Sequence, residues 1–548
     1  MNRVPWFSAI LILAGVLVAG GLSASAAERS RATAAEDVSL PLALQWKFSS
    51  VELGGEPPAR NPSSPVVSGD TVYICARGLT ADKTPTTSVY ALAIETGEKK
   101  WDHILEGSVF GTLALENDVL WVADTKGWLY ALDTKRSGEE LTRFKLEAGS
   151  RATPVIHEGV LYLGDDSGMF YAIDTTTRQE RWRFRAGGPV KLPVAVSVET
   201  NLVYIATSEP MLHALRISDG RESWRHPMPE VMMDGAPLLW ENNLYVPSGK
   251  HLFCVTASRG RDRWNSSQLA STTGHPIVET PTVVEEGDGA RIYFACQDGT
   301  LNCIDASTGR MAWKRPALLD RVPTGSPVVT RNAVLVGAQG GFLYAIDREN
   351  GSKLLWKYRV FPPKDIAQQG QPVSINGTPI VADGRVLALS NEGTLYCFSP
   401  DAVDRTPPEA KEFHVHDTPV EKDTDPVYGV PPVPFKVTIE DEGSGIDESK
   451  LVFKLDGVAV KHEFNAATGE LTYSTPVTQP AKPLADGQHK VSVVVADWRG
   501  NTKEYEWSFK VDHRWVPVPK LPAGAAPGAG RMGGGMGGMG GMGGGVRR

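Results

Sequence analysis

Asp441, Glu442, Asp447 and Asp497 lie in acidic turns, and such turns can hold calcium through carboxylate oxygens. Their spacing is not that of an EF-hand, so they read as solvated turn residues and no metal is assigned to them. His414, His416 and Asp417 carry ligating atoms within four positions. No other His or Cys gathers beside them, so they too read as solvated. Five cysteines are an odd count for an exported chain. Cys296 and Cys303 flank Asp298-Gly299, where a tight hairpin would put Leu301 opposite Cys296, and buried free thiols are expected. The thioethers of RMGGGMGGMGGMGGG (531–545) are soft ligands of the kind Cu(I) takes, but the composition points to disorder. No GxSxG, HExxH, Walker loop, CxxC or Cys-Cys pair occurs, so no catalytic residue is assigned.

The elements that would position any site come from a repeat. With 41% hydrophobic and 22% charged residues the chain can bury a core. The formal charge of −8 includes no basic cluster with interleaved aromatics, which argues against nucleic acid as partner. A four-strand unit recurs every 40 to 52 residues. Its anchors stand at Tyr90, Tyr130, Tyr171, His213, Phe253, Asn302, Tyr344 and Tyr396. An aromatic follows at Trp101, Trp182, Trp224, Trp264, Trp313 and Trp356, with Phe144 assigned to that slot in the second unit. Gly97, Gly220, Gly260 and Gly309 each come four residues before such a Trp. One aromatic per unit at a fixed offset is a packing device between neighbouring sheets. Cys254, Cys303 and Cys397 stand where other units have Ala, which suits small buried residues.

The eighth unit ends at Pro400 without a Trp strand, and LALQWKF (42–48) is an orphan strand with Trp46. An unpaired edge is costly to leave exposed, so residues 42–48 are expected to close the eighth sheet. The expected class is all-β: an eight-bladed β-propeller over 42–400.

The pattern in AIETGEKKW (93–101) and IDASTGRMAW (304–313) resembles the pyrroloquinoline-quinone (PQQ) repeat. Two groups share that repeat: quinoprotein alcohol dehydrogenases and the non-catalytic BamB-type propellers of outer-membrane assembly. The size resembles the second. The resemblance implies a scaffold or binding protein with no cofactor; the alternative is a dehydrogenase using PQQ with calcium. The absent Cys-Cys pair and the short connections between units favour the scaffold.

Residues 1–26 read as an export signal, with a basic start, an apolar run and Ala24-Ser25-Ala26 before the cut; no lipid-anchoring Cys follows the run. The chain is expected in the periplasm or secreted into the envelope, with no membrane span after cleavage. Residues 401–434, rich in Pro, Asp and Glu, read as a linker. Short alternating strands over 435–512 predict a β-sandwich, and GSGIDESKLVFKLDG and LADGQHKVSVVVADWRGN resemble bacterial immunoglobulin-like modules. Residues 521–548 read as a disordered Gly/Met tail.

Binding is sought where units depart from one another. Just before the inner strand most units place small residues: Ser63, Gly111, Gly235, Gly325, Gly377. Lys191 and Glu279 break this, and one residue earlier stand Phe110, Arg151, Asp234 and Asn376. Equivalent positions before inner strands should ring one mouth of the channel. Mixed charge there suits a protein or peptide partner in the envelope.

Overall fold

Strand order follows from patterning that differs along each unit. In the third, Val160–Gly164 and Met169–Asp174 are apolar almost throughout and buried on both faces, whereas Gln179–Arg185 alternates and buries mainly Trp182. Such runs belong inside a stack of sheets, with the alternating strand outermost. The computed structural model describes residues 37–50, 63–79, 85–230, 235–264, 275–287, 289–361, 373–420, 426–477 and 482–514. Residues 1–26, read above as an export signal, the Gly/Met-rich 521–548, Asp234 and the side chain of Trp264 lie outside this set.

Among the described residues, eight four-stranded antiparallel sheets between Ala43 and Ser399 form the blades of a β-propeller. Blade 1 takes four strands between Val66 and Leu105, and blade 7 four between Val328 and Arg359. Blade 8 is built from both ends of the propeller. Ala43–Ser49 pairs antiparallel with Thr394–Ser399, and Trp46 stands opposite Cys397.

The Trp and Gly positions form one device. In most blades the Trp lies opposite the small residue of its own third strand, at a bulge: Trp101 on Ala91, Trp182 on Ala172, Trp356 on Ala345; Trp313 precedes the short fourth strand of blade 6, Ala317–Leu318. Its ring then covers the turn of the next blade. A Cβ added at Gly97 would lie 2.5 Å from Trp46, at Gly220 2.4 Å from Trp182, and at Gly351 2.3 Å from Trp313. The indole N–H donates across the seam, from Trp46 to the Ile94 carbonyl at 3.0 Å and from Trp182 to the Ile217 carbonyl at 2.8 Å.

This corrects the assignment of Phe144. The bulge in blade 2 puts Thr142 opposite Ala131, and Phe144 opposite Leu129. Phe144 stacks instead on Trp121, centroids 6.2 Å apart. With no Trp in the fourth strand of blade 2, the turn of blade 3 has no such ring to accommodate, and its left-handed position is Arg178 at φ 58°.

The five cysteines are buried thiols. Leu301 faces Ala295 rather than Cys296, so the Asp298-Gly299 hairpin is longer than a two-residue turn.

The stretch read as a linker is partly strand. Glu409–Val415 pairs with Pro434–Glu440 and buries Phe413 and Val415. A bulge between Lys411 and His414 disguises its alternation. It joins a five-stranded sheet that packs on a four-stranded one around Phe435, Phe453, Leu471, Val493 and Phe509. Among the described residues no helix is long and apolar enough to cross a membrane.

Candidate binding site

The first strands of successive blades are stitched together just where the unusual residues stand. The Ser64 amide donates to Thr112 Oγ1 at 3.1 Å, and the Thr112 amide to Thr153 Oγ1 at 2.9 Å. Farther round, the Ala236 amide donates to Thr280 Oγ1 at 3.0 Å and the Ser326 amide to Thr378 Oγ1 at 3.2 Å. The Thr378 amide donates to Ser64 Oγ at 2.9 Å, which closes the series from blade 8 onto blade 1. The small residues are explained by this contact: a Cβ at Gly111 would lie 2.2 Å from the Ala152 carbonyl, and at Gly325 2.1 Å from that of Gly377.

Of the sequence-predicted site residues, the structure brings two together. The Arg151 guanidinium lies over the Phe110 ring at 5.5 Å and pairs with Asp166 at 3.5 Å. Phe110 is half-buried and Arg151 exposed, so their surface faces solvent with an aromatic and a cation side by side. Lys191 is exposed, and Asn376 half-buried with its amide held by the Leu389 carbonyl. Glu279 takes the slot that Gly235 fills in the preceding blade and adopts φ 61°, a left-handed conformation that a side chain resists. Its carbonyl lies 2.6 Å from where a Gly235 Cβ would be.

A second polar centre lies where the sandwich meets the propeller. Lys357, 8% exposed, donates to Asp320 at 2.9 Å and to Glu448 of the sandwich at 2.7 Å. The Trp356 indole donates to the Ser444 carbonyl at 3.0 Å, the Tyr358 hydroxyl to the Glu442 carbonyl at 2.9 Å, and Arg499 to the Pro400 carbonyl at 2.5 Å.

The loop making these contacts is held by carboxylates. Asp441 accepts from the Gly445 amide at 2.6 Å, Asp404 from the Ser444 amide at 2.8 Å, and Asp497 from the Asn501 amide at 2.8 Å. Oxygens of Asp404, Asp441 and Asp497 lie within 4.8 Å of one another, the one such group among the described residues. Burial pushes the Asp441 carboxyl up to about 7, with the neighbouring Asp404 and Asp497 charges adding to it; burial also raises Asp497. Oxygen donors at this spacing suit a hard cation or a shared proton.

Of the four acidic residues weighed from sequence, Asp441 and Asp497 belong to this group. Asp447 instead caps a short 3-10 turn, and Glu442 approaches Lys47 at 3.8 Å. Asp404 was not foreseen, because it sits in the supposed linker with no pattern around it. His414 and His416 bond to the Glu412 and Tyr428 carbonyls and do not converge.

No two cysteines are adjacent, and the acidic group lies at the sandwich junction rather than beside the stitched inner strands.

The family described as outer membrane protein assembly factor BamB matches residues 85–315 and 284–431. The BamB of Burkholderia pseudomallei (strain K96243) is 22% identical over 420 residues, 73% of this chain and 100% of that protein. The quinohemoprotein alcohol dehydrogenase ADH IIB of Pseudomonas putida is 26% identical over 144 residues, 24% of this chain and 20% of that enzyme. Among solved structures, a europium-containing methanol dehydrogenase superposes with a TM-score of 0.52 at 15% identity, covering 69% of this chain and 98% of that one, a likeness of fold.

Proposed function

The chain belongs to the family of outer membrane protein assembly factor BamB, and we propose that it is an exported, non-catalytic propeller that takes part in outer-membrane assembly by holding a protein partner in the cell envelope. The family match over residues 85–431 carries this reading. The Burkholderia BamB aligns over its whole length, whereas the dehydrogenase aligns over a fifth of its own.

The partner surface is the rim that contains Phe110, Arg151, Lys191, Asp234, Glu279 and Asn376. Phe110 under Arg151 supplies an aromatic anchor, and the flanking charges supply steering. The nine-stranded module is read as an immunoglobulin-like spacer fixed to the propeller.

The test has two parts. Protein recovered from envelope extract with the full chain is purified and titrated against variants. Phe110→Ala is expected to weaken binding about tenfold or more, and Lys191→Glu to change its salt dependence. Both variants binding like the wild type, with the fold intact, would move the site elsewhere. Separately, the protein is mixed with PQQ and calcium and assayed with alcohols and a dye acceptor; stoichiometric binding with turnover would replace the scaffold reading by the enzyme.

A further inference from the structure

The hairpin between the second and third strands buries a carboxylate in blades 2, 3 and 8, with different surroundings. In blades 2 and 3 it is Asp124 and Asp165, both 0% exposed. Asp124 accepts from the Lys126 amide at 3.0 Å, the Trp128 amide at 2.8 Å and the Tyr130 hydroxyl at 3.1 Å. Asp165 accepts from the Ser167 and Met169 amides at 2.9 Å and the Tyr171 hydroxyl at 3.0 Å. In blade 8 the corresponding position is Ser390, whose amide donates to the Thr394 carbonyl as that of Asp124 does to Trp128. The carboxylate comes two residues later, from Glu392, 2% exposed, where blades 2 and 3 have the exposed Lys126 and Ser167. Neither oxygen of Glu392 has a hydrogen-bond partner, and it makes no ion pair among the described residues.

The hydroxyls of Ser390, Thr394 and Tyr396 lie near enough to oppose the rise in proton affinity that burial gives Glu392, but none makes a hydrogen bond to it. Their protons are committed elsewhere. Ser390 donates to the Thr394 carbonyl at 2.9 Å, Thr394 to Ser49 Oγ at 3.1 Å, and Tyr396 to the Phe361 carbonyl at 3.1 Å. Tyr130 and Tyr171, by contrast, give theirs to the carboxylate of their own hairpin. Glu392 is thus a buried anion among oxygen lone pairs, which calls for a positive centre. One carboxylate among neutral oxygens balances a single charge, and a divalent ion would leave charge uncompensated. We propose that Glu392, with the hydroxyl oxygens of Ser390, Thr394 and Tyr396, holds a monovalent metal cation, sodium or potassium, at the seam between blades 7 and 8. Phe361 follows the outer strand of blade 7, and the Ser50 amide, just past the closing strand, donates to the Gly393 carbonyl at 3.3 Å, so the ion sits where the ring is closed. The site does not rest on the partner rim.

The full chain is exchanged into choline chloride at pH 8, and its thermal midpoint is followed as sodium, potassium or calcium chloride replaces choline at constant ionic strength. The midpoint should rise saturably, by about 2 °C or more, with sodium or potassium, and the ion that acts at the lower concentration is the one preferred. Glu392→Gln should lose this response, with a midpoint in choline no lower than that of wild type, because an unbalanced carboxylate is removed. If that variant does not fold, Tyr396→Phe, which removes one oxygen of the shell, should raise the half-maximal concentration several-fold. A wild type that responds to neither alkali cation, or a Glu392→Gln that responds equally, sinks the proposal and leaves Glu392 a protonated carboxyl. A calcium response that Glu392→Gln abolishes, with none to sodium or potassium, overturns the assignment of a monovalent ion.

Discussion

The seam between blades 3 and 4 and the seam between blades 7 and 8 meet the same requirement with different parts. At the first, Trp182 covers Gly220 and donates to the Ile217 carbonyl, both in the turn between the third and fourth strands of blade 4. Blade 8 has no such turn, because its fourth strand, Ala43–Ser49, comes from the other end of the chain. Trp356, fully buried, donates instead to Ser444 of the sandwich, and the Leu44 amide donates to the Gly443 carbonyl at 3.0 Å. Splitting a blade between chain ends closes the ring but removes a turn, and a loop of the second unit takes the place of that turn. The sandwich is thereby part of the propeller's closure.

The largest expected effect tests the shared side of the comparison. Deleting residues 41–50 removes a strand and Trp46 from blade 8 and should cost several kcal/mol, read as a large drop in thermal midpoint. An unchanged midpoint would break the closure. Next, Trp356→Ala should cost about 3–5 kcal/mol, the usual range for emptying a fully buried aromatic site. Trp101→Ala, at a seam where the ring is half-buried, should cost less. Chemical denaturation of the two variants compares them directly, and equal costs would remove the distinction between seams.

These two seams also show what was legible from sequence. An offset of eleven residues, twelve at Trp356, marks the Trp positions, since a repeat writes the same contact many times. The missing Trp in the eighth unit and the orphan strand at 42–48 pointed to each other for the same reason. Phe144 was misassigned because the slot opposite Ala131, reached after a 3-10 turn at Thr134–Arg136, is held by Thr142, which carries no aromatic ring. Arg178 carried an unread clue: the blade whose fourth strand lacks Trp precedes a turn lacking Gly, and only the cross-seam contact links them. The strand at Glu409–Val415 was hidden by its bulge and by the Pro-rich residues around it. Asp404, Lys357 and the Ser444 carbonyl were not legible at all, because each gains its role from a contact across distant chain that occurs once.

A smaller effect sharpens the comparison at side-chain level. The Lys357–Glu448 pair joins propeller to sandwich at 2.7 Å, with Lys357 buried and Glu448 partly exposed. A double-mutant cycle with Lys357→Met and Glu448→Gln should give a coupling of about 1 kcal/mol, above that of an exposed surface pair. The exposed Lys99–Asp102 pair within blade 1 is the control. Equal coupling in the two cycles would mean that the junction gains nothing from its burial.

The smallest effect concerns protons at the same junction. Asp441 has an ordinary value of 3.8 and is pushed up to about 7 in the folded protein by burial, with Asp404 and Asp497 adding to the shift. A carboxyl whose folded value is raised binds its proton more tightly folded than unfolded. Its contribution is most favourable below 3.8, declines as pH rises from there to about 7, and is gone above. Between pH 5.5 and 8 the grip of the sandwich loop should therefore weaken with rising pH. Carboxylates held low by their partners, such as Asp305 and Asp347, change stability only at more acidic pH and do not enter this window. Glu392 and Asp497, both raised by burial, act in the same direction as Asp441 and remain in the variant. Asp441→Asn keeps an acceptor for the Gly445 amide, now 2.6 Å from the carboxylate, and cannot ionise. It should raise the thermal midpoint at pH 8 by about 2 °C, leave it nearly unchanged at pH 5.5, and flatten the slope between them. A midpoint for Asp441→Asn that falls at pH 8 would show that the loop needs the ionised carboxylate, and the closure at blades 7 and 8 would then depend on that charge.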